Sequence, residues 1–124
     1  MAGSPAMRYG GNGKLRSRLE AARIRYVLAV SCDHRLPAGA GRTLRADELA
    51  ARLPAKAWQR LRAGQGAKGH RWYDWDWVTV SHPGRGCRQL LIRRHPRTGE
   101  LAFYRCYAPG PVTLAALVAI AGRR

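Results

Sequence analysis

Two aspartates, Asp74 and Asp76, stand two positions apart in a run that reads as a strand. Residues at i and i+2 share a strand face, so the two carboxylates could ligate one hard divalent cation. An isolated Asp-x-Asp pair is an incomplete site, and the arginines around it are its ordinary partners. Asp33-His34-Arg35 follows an apolar run, at the carboxyl end of a strand, where α/β proteins often carry polar chemistry. No nucleophile lies beside it in sequence. Asp33, Asp74 and Asp76 together are the residues a metal-dependent nuclease would use. Cys32 and His34 supply two ligands of zinc type, half of a tetrahedral set. Gly10-Gly11-Asn12-Gly13 precedes a helix-forming stretch, but it lacks the preceding strand and the Lys-Ser/Thr pair of a phosphate-binding loop.

The densest chemistry lies in His70-Arg71-Trp72-Tyr73-Asp74-Trp75-Asp76-Trp77, where four large rings alternate with charge. Aromatic faces stack on unpaired bases for about 1–3 kcal/mol each, while arginines neutralise phosphate. The competing demand is that a small sheet needs a core, so at least two of the four rings are expected to be buried. Arg85, Arg88, Arg93, Arg94, Arg97 and Arg105 follow, and they line the same strands. They are either a track for a nucleic-acid backbone or a solvated rim. The candidates for DNA contact are therefore Arg71, Trp72, Tyr73, Trp75, Trp77, Arg88, Arg93, Arg94, Arg97 and Arg105.

The bulk charge points the same way. Lys plus Arg number 23 against 7 acidic residues, for a formal net charge of +16 in 124 residues. Such a chain repels itself unless a polyanion is near, and nucleic acid is the usual one. Lys14, Lys56 and Lys68 are the only lysines; the remaining bases are arginines, whose planar fork engages two phosphate oxygens at once. A GC-rich genome also enriches arginine. The three cysteines, Cys32, Cys87 and Cys106, form no Cys-x-x-Cys pair, and no apolar leader precedes them, which argues against a disulfide framework. The longest apolar run, Val112 to Ala121, is too short to span a bilayer. A cytoplasmic protein with no membrane partner is expected.

These residues need elements to position them. Residues 1–13 read as a flexible start rich in turn chemistry. Leu15, Leu19 and Ala22 recur at helical spacing, which predicts a helix from Lys14 to about Arg23. Tyr26-Val27-Leu28-Ala29-Val30 is a near-continuous apolar run of the kind found in strands buried on both faces. Leu36 to Arg42 reads as a loop, and Ala46 to Leu53 as a short helix with Asp47 and Glu48 in its first turn. Pro54 then opens a second helical turn, Ala55 to Arg62, carrying Trp58 and Leu61. Gly64, Gly66 and Gly69 mark another loop. Arg71–Ser81, Arg88–Arg94 and Glu100–Tyr107 predict a three-stranded antiparallel meander, turned at Pro83-Gly84 and at Pro96-Arg97-Thr98-Gly99. Thr113 is placed to cap a last helix to Ala121, with Gly122 behind it.

Six stretches, taken in order, resemble a known family: Tyr26-Val27-Leu28-Ala29-Val30, Arg45-Ala46-Asp47-Glu48-Leu49-Ala50, Gly66-Ala67-Lys68-Gly69, Tyr73-Asp74-Trp75, Leu91-Ile92-Arg93-Arg94, and Gly99-Glu100-Leu101-Ala102-Phe103-Tyr104. The ordered set is similar to the insertion sequence 701 type of DDE transposases, over roughly residues 8 to 124. The resemblance implies an α/β fold: a partial ribonuclease-H-like core of one helix and one strand, with a small β-rich α+β insert and a C-terminal helix. On this division 14–32 is a piece of the core, 33–111 the insert, and 112–124 a truncated helix. In the intact family enzyme two Asp and one Glu hold Mg²⁺ for phosphoryl transfer. The family's second Asp precedes a Tyr-Gly pair; here Ala6 stands at that place, before Met7-Arg8-Tyr9-Gly10. The other two ligands would fall outside these 124 residues, and Asp74 belongs to the insert.

The expectation is thus a truncated DDE transposase fragment that contacts DNA without catalysis of its own. The alternative is a small autonomous basic nucleic-acid-binding module. As one strand of a larger sheet, Tyr26–Val30 would have both edges unpaired, which predicts marginal stability.

Overall fold

The computed structural model describes residues 12–66, 69–82 and 84–122, with the side chains at 63–71 outside that description. The Ala6–Gly10 stretch, where the resemblance implies a catalytic Asp and Ala6 stands instead, lies outside the described residues, as do Arg123 and Arg124. The structure is mixed α and β, with strands in the majority.

Helix α1 spans Gly13–Ala21. The Asn12 side chain accepts hydrogen bonds from the backbone N–H of Lys14 and Leu15 at 3.0 and 3.1 Å, satisfying two of the donors a helix start leaves orphaned. Arg23, at φ 58°, turns the chain out of the helix into β1, Tyr26–Val30. A hairpin follows, β2 (Arg35–Gly39) and β3 (Arg42–Arg45), then helix α2 (Ala46–Ala51). At the start of α2 the Glu48 carboxylate accepts from the Arg45 backbone N–H at 2.8 Å. The reciprocal half of a capping box is closed to Arg45, because a guanidinium has no acceptor. A short 3₁₀ turn (Ala55–Ala57) leads to β4 (Gln59–Gly66), β5 (Gly69–Thr79), β6 (Cys87–Arg94) and β7 (Leu101–Ala108). Helix α3, Leu114–Ala121, is capped by the Thr113 hydroxyl, which accepts from Ala116 N–H at 3.1 Å.

Five strands form one antiparallel sheet in the order β1-β7-β6-β5-β4. Alternation along each strand sends side chains to two different cores. On one face Val27, Trp75, Leu91 and Cys106 pack beneath Leu114, Leu117 and Val118 of α3. On the other, Val30, Val80, Leu90, Ile92 and Phe103 are covered by Leu36 of the hairpin and by Ala46 and Ala50 of α2. Between β5 and β6 the chain turns at Gly86, φ +94°, where a Cβ would stand 2.8 Å from the Ala108 carbonyl oxygen, so only glycine fits.

The meander and both outer helices lie where the sequence places them. Four expectations fail. Residues 36–42 form the β2–β3 hairpin instead of a loop, because Gly39, Ala40 and Gly41, all at positive φ, close a tight turn. Beyond the 3₁₀ turn, Gln59–Arg62 is strand and not helix, since it completes the open edge of β5. Gly64, Gly66 and Gly69 lie within the paired β4 and β5, not in a loop. The Tyr26–Val30 strand does not have two bare edges: all five residues pair with β7, from Tyr26↔Tyr107 to Val30↔Phe103.

Candidate nucleic-acid interface

Strand β5 decides which aromatic rings face solvent. Tyr73, Trp75 and Trp77 point toward α3; Trp72, Asp74 and Asp76 point to the opposite face. Trp75 is 0% exposed, stacked on Tyr104 at 6.3 Å and met edge-on by Tyr73 at 6.2 Å. Trp77 is half-buried against the same cluster. These rings are core, and of the tryptophan candidates Trp72 is the exposed one, at 49%.

Trp72 sits directly across the β4–β5 pair from Arg62. One step along the same face, Asp74 accepts from Arg60 Nε at 2.9 Å and from Arg94 Nη2 at 3.2 Å. The Arg60 hydrogen bond holds the Asp74 carboxyl below its ordinary pKa; burial opposes this, and Arg94 reinforces it. Asp74 therefore positions two arginines. Arg94 also lies 4.2 Å over the Trp58 ring. On the other face Arg93 lies 4.6 Å over Tyr73, whose edge meets His95 at 5.9 Å. Cation–π contact of this kind stiffens an arginine without neutralising it.

The β6–β7 turn completes this end of the sheet. The His95 ring Nδ1 accepts from the backbone N–H of Arg97 and Thr98 at 3.1 and 3.2 Å, which leaves the Arg97 side chain exposed at the tip. A shallow cavity of about 190 Å³ opens beside it, lined by Tyr73, Arg93, His95, Glu100, Leu101 and Ala102. One end of the sheet thus carries Arg60, Arg62 and Arg94 on the Trp72 face, Arg93 on the other face and Arg97 at the turn, with Asp74 and Glu100 as the local carboxylates. Arg71 lies on β5 next to Trp72, its side chain among those not described. Trp58, Arg60 and Arg62 were not among the sequence candidates. Their signal was the alternation Gln59-Arg60-Leu61-Arg62, which fits a strand as well as a helical turn.

Arg88 and Arg105 do not join this surface. Each is 6% exposed, and they lie toward the opposite half of the sheet. Arg88 donates to Glu20 Oε1 from Nη2 at 2.8 Å and lies 5.0 Å over Tyr107. Glu20 also accepts from the Tyr26 hydroxyl. Burial works against the Glu20 charge, but the hydrogen bonds from Tyr26 and Arg88 outweigh it and lower its pKa. Arg105 Nη1 stands 3.0 Å from His34 Nε2. Burial first, then the charges of Arg105 and Arg16, push the His34 pKa from 6.5 down to about 4. The ring is therefore neutral at pH 7 and accepts from Arg105.

A pH dependence follows. Between those two values the unfolded chain binds a proton at His34 that the folded chain refuses. The His34 contribution is thus complete above about pH 6.5 and lost as pH falls toward 4. With part of the ring screened by solvent, the loss is about 1–2 kcal/mol. Chemical denaturation at pH 7 and pH 5 measures it, and His34→Gln is expected to remove that component.

The aspartates do not assemble a metal site. Asp33 pairs with the Ser31 hydroxyl, and Asp74 is engaged by Arg60 and Arg94. Asp76 Oδ1 accepts from the Trp77 backbone N–H at 2.7 Å. Among the described residues no group of three or more His, Cys, Asp or Glu could hold a metal ion. Asp33, Asp74 and Asp76 are thus not brought together as a metal-dependent nuclease would need, and Cys32, exposed, and His34, bonded to Arg105, do not form a zinc centre. Asp76 Oδ2 is buried without a partner among the described residues, and burial raises the Asp76 pKa against the opposing Trp77 N–H bond. A carboxylate in that place destabilises the fold at neutral pH. Asp76→Asn keeps an acceptor for Trp77 and is expected to raise stability by about 1 kcal/mol at pH 7, with the gain shrinking as pH falls, read by urea denaturation.

Among the described residues no helix is long and apolar enough to cross a membrane. No family profile, curated protein or solved structure matches the chain.

Proposed function

We propose that this chain contacts DNA through the arginine-and-tryptophan end of its sheet, as a piece of a DDE-type transposase that does not carry out strand transfer alone. The observation that carries the contact is the placement of half-exposed Trp72 among Arg60, Arg62, Arg94 and Arg97, on a chain of net charge +16. An exposed ring beside arginines, two of them bonded to Asp74, supplies stacking and phosphate neutralisation together. The transposase assignment rests on the ordered resemblance of six stretches. On that assignment helix α1 and β1 belong to the partial ribonuclease-H-like core, and the strands from β4 to β7 to the insert.

A second reading has its own support. Strand β1 is joined to β7 along its whole length, and both faces of the five-stranded sheet are covered. That arrangement suits a small autonomous basic module that binds nucleic acid without any transposase partner segment.

Binding of a double-stranded oligonucleotide across a salt series, with nicking in Mg²⁺ or Mn²⁺ read from the same samples, tests the proposal. The expected result is affinity that falls steeply and linearly on a log–log salt plot, with no nicking. Salt-independent or absent binding would refute DNA contact, and metal-dependent nicking would refute the non-catalytic assignment. A reversible, cooperative unfolding transition in a monomer favours the autonomous module.

A further inference from the structure

The cavity beside the β6–β7 turn has polar walls that the fold itself does not use. Arg93 and His95 stand two apart on β6 and share a face, and Ala102 lies directly across from Arg93 on β7. The His95 backbone N–H donates to the Glu100 carbonyl at 2.9 Å, so Glu100 stands across from His95 and diagonal to Arg93. Ala102 is small where a longer side chain would fill the gap, and the cavity of about 190 Å³ opens there.

Diagonal neighbours on a sheet lie within reach of long side chains, and opposite charges so placed ordinarily pair. Arg93 and Glu100 do not. Arg93 lies over the Tyr73 ring instead, 4.6 Å from its centroid. Among the described residues neither the Arg93 N–H groups nor the Glu100 carboxylate has a hydrogen-bond or salt-bridge partner. His95 turns Nδ1 to the backbone of Arg97 and Thr98 as an acceptor, so its proton sits on Nε2. Leu101 lines the same cavity and is a large apolar residue left 36% exposed.

The walls thus offer a two-oxygen acceptor, a planar group of donors and an apolar surface. Sites for drug-sized ligands run to about 300–1,000 Å³, so this smaller space suits one flat ring system. Guanine carries the matching edges. Its N1–H and N2–H lie side by side and meet both oxygens of a carboxylate, while O6 and N7 accept from a guanidinium. Adenine has an acceptor where guanine has N1–H, and cytosine and thymine present no such adjacent pair of donors. The N1–H edge is occupied in a duplex, so the base must be unpaired.

We propose that this cavity takes an unpaired guanine of a bound single strand, with Glu100 accepting from N1–H and N2–H and Arg93 donating to O6. The inference rests on the reading that this end of the sheet contacts nucleic acid, and it adds a base preference to that contact. Arg97, exposed at the turn beside the cavity, is placed to meet a flanking phosphate.

The test is fluorescence anisotropy of the full chain with short oligothymidylates that differ in one central base, at constant ionic strength. The strand with central guanine is expected to bind about tenfold tighter than those with adenine, cytosine or thymine. Inosine, which keeps N1–H and O6 but lacks the N2 amino group, should lose part of that preference. Glu100→Gln, at an exposed position, and Ala102→Leu, which fills the cavity without changing charge, should each abolish it. Equal affinity for all four bases, or a guanine preference that survives both substitutions, would overturn the proposal and leave the DNA-contact reading standing. A free guanine mononucleotide that binds as tightly as the strand would overturn the strand as the source of the base. Binding to none of the strands would overturn the contact reading and this inference with it.

Discussion

Trp75→Ala is expected to lower the unfolding free energy by about 3–5 kcal/mol, enough to leave a small domain largely unfolded near 37 °C. The indole is fully buried at the centre of the sheet, touching Tyr73, Tyr104 and the α3 cluster. Its removal opens a cavity that β5 and β6 cannot close without breaking their pairing. Trp75→Phe refills most of that space. It also removes an indole N–H that is buried without a partner among the described residues, so it is expected to recover more than half of the loss. Equilibrium denaturation in urea decides this. A loss below about 1 kcal/mol for Trp75→Ala would mean that the ring is not in the core.

Three positions away the same residue type is expected to do the opposite. Trp72→Ala should change stability by no more than about 0.5 kcal/mol, because roughly half of the side chain is already in water. It should instead weaken single-stranded oligonucleotide binding by about 1–3 kcal/mol, a factor of roughly five to 150. Trp72→Phe keeps a stacking face and should retain most of the affinity. The companion variant, Arg60→Gln with Arg62→Gln and Arg97→Gln, should weaken binding for all sequences alike and flatten the log–log salt slope by about two to three. Asp74 would then hold Arg94 alone, which keeps the triple variant folded. Fluorescence anisotropy across a salt series reads both effects. Equal affinity in wild type and Trp72→Ala would remove the ring from the contact surface.

Much of this arrangement was legible in the residues. Strict alternation from Trp72 to Val80 determined the two faces of β5, and the demand for a core correctly predicted that at least two of the four rings are covered. Which ring stays exposed was not legible, because that depends on α3 lying over the face of β5 that carries Trp75 and Trp77. Strand β4 was hidden for a different reason. Leu61 is its one large inward apolar residue, and its glycines imitate a loop, so its strand character comes from pairing with β5 and not from its own composition. The same holds for β2 and β3, whose Leu36 is fully buried only because the hairpin folds over Val30, Ile92 and Phe103. Burial also changed the meaning of Arg88 and Arg105. Both alternate with apolar residues as rim arginines would, yet Glu20 and His34 reach them from distant segments, a pairing that no local spacing announces.

The central claim, contact with nucleic acid through one end of the sheet, is tested most directly by mapping backbone amide shifts of the full chain during titration with a short single-stranded oligonucleotide. The account predicts saturable shifts concentrated at Gln59–Arg62, Trp72–Asp74 and Arg93–Thr98, with the Trp72 indole N–H the most affected side chain and the Trp75 indole unmoved. Shifts centred on the α3 face or on the β2–β3 hairpin, or no saturable shifts at all, would contradict it.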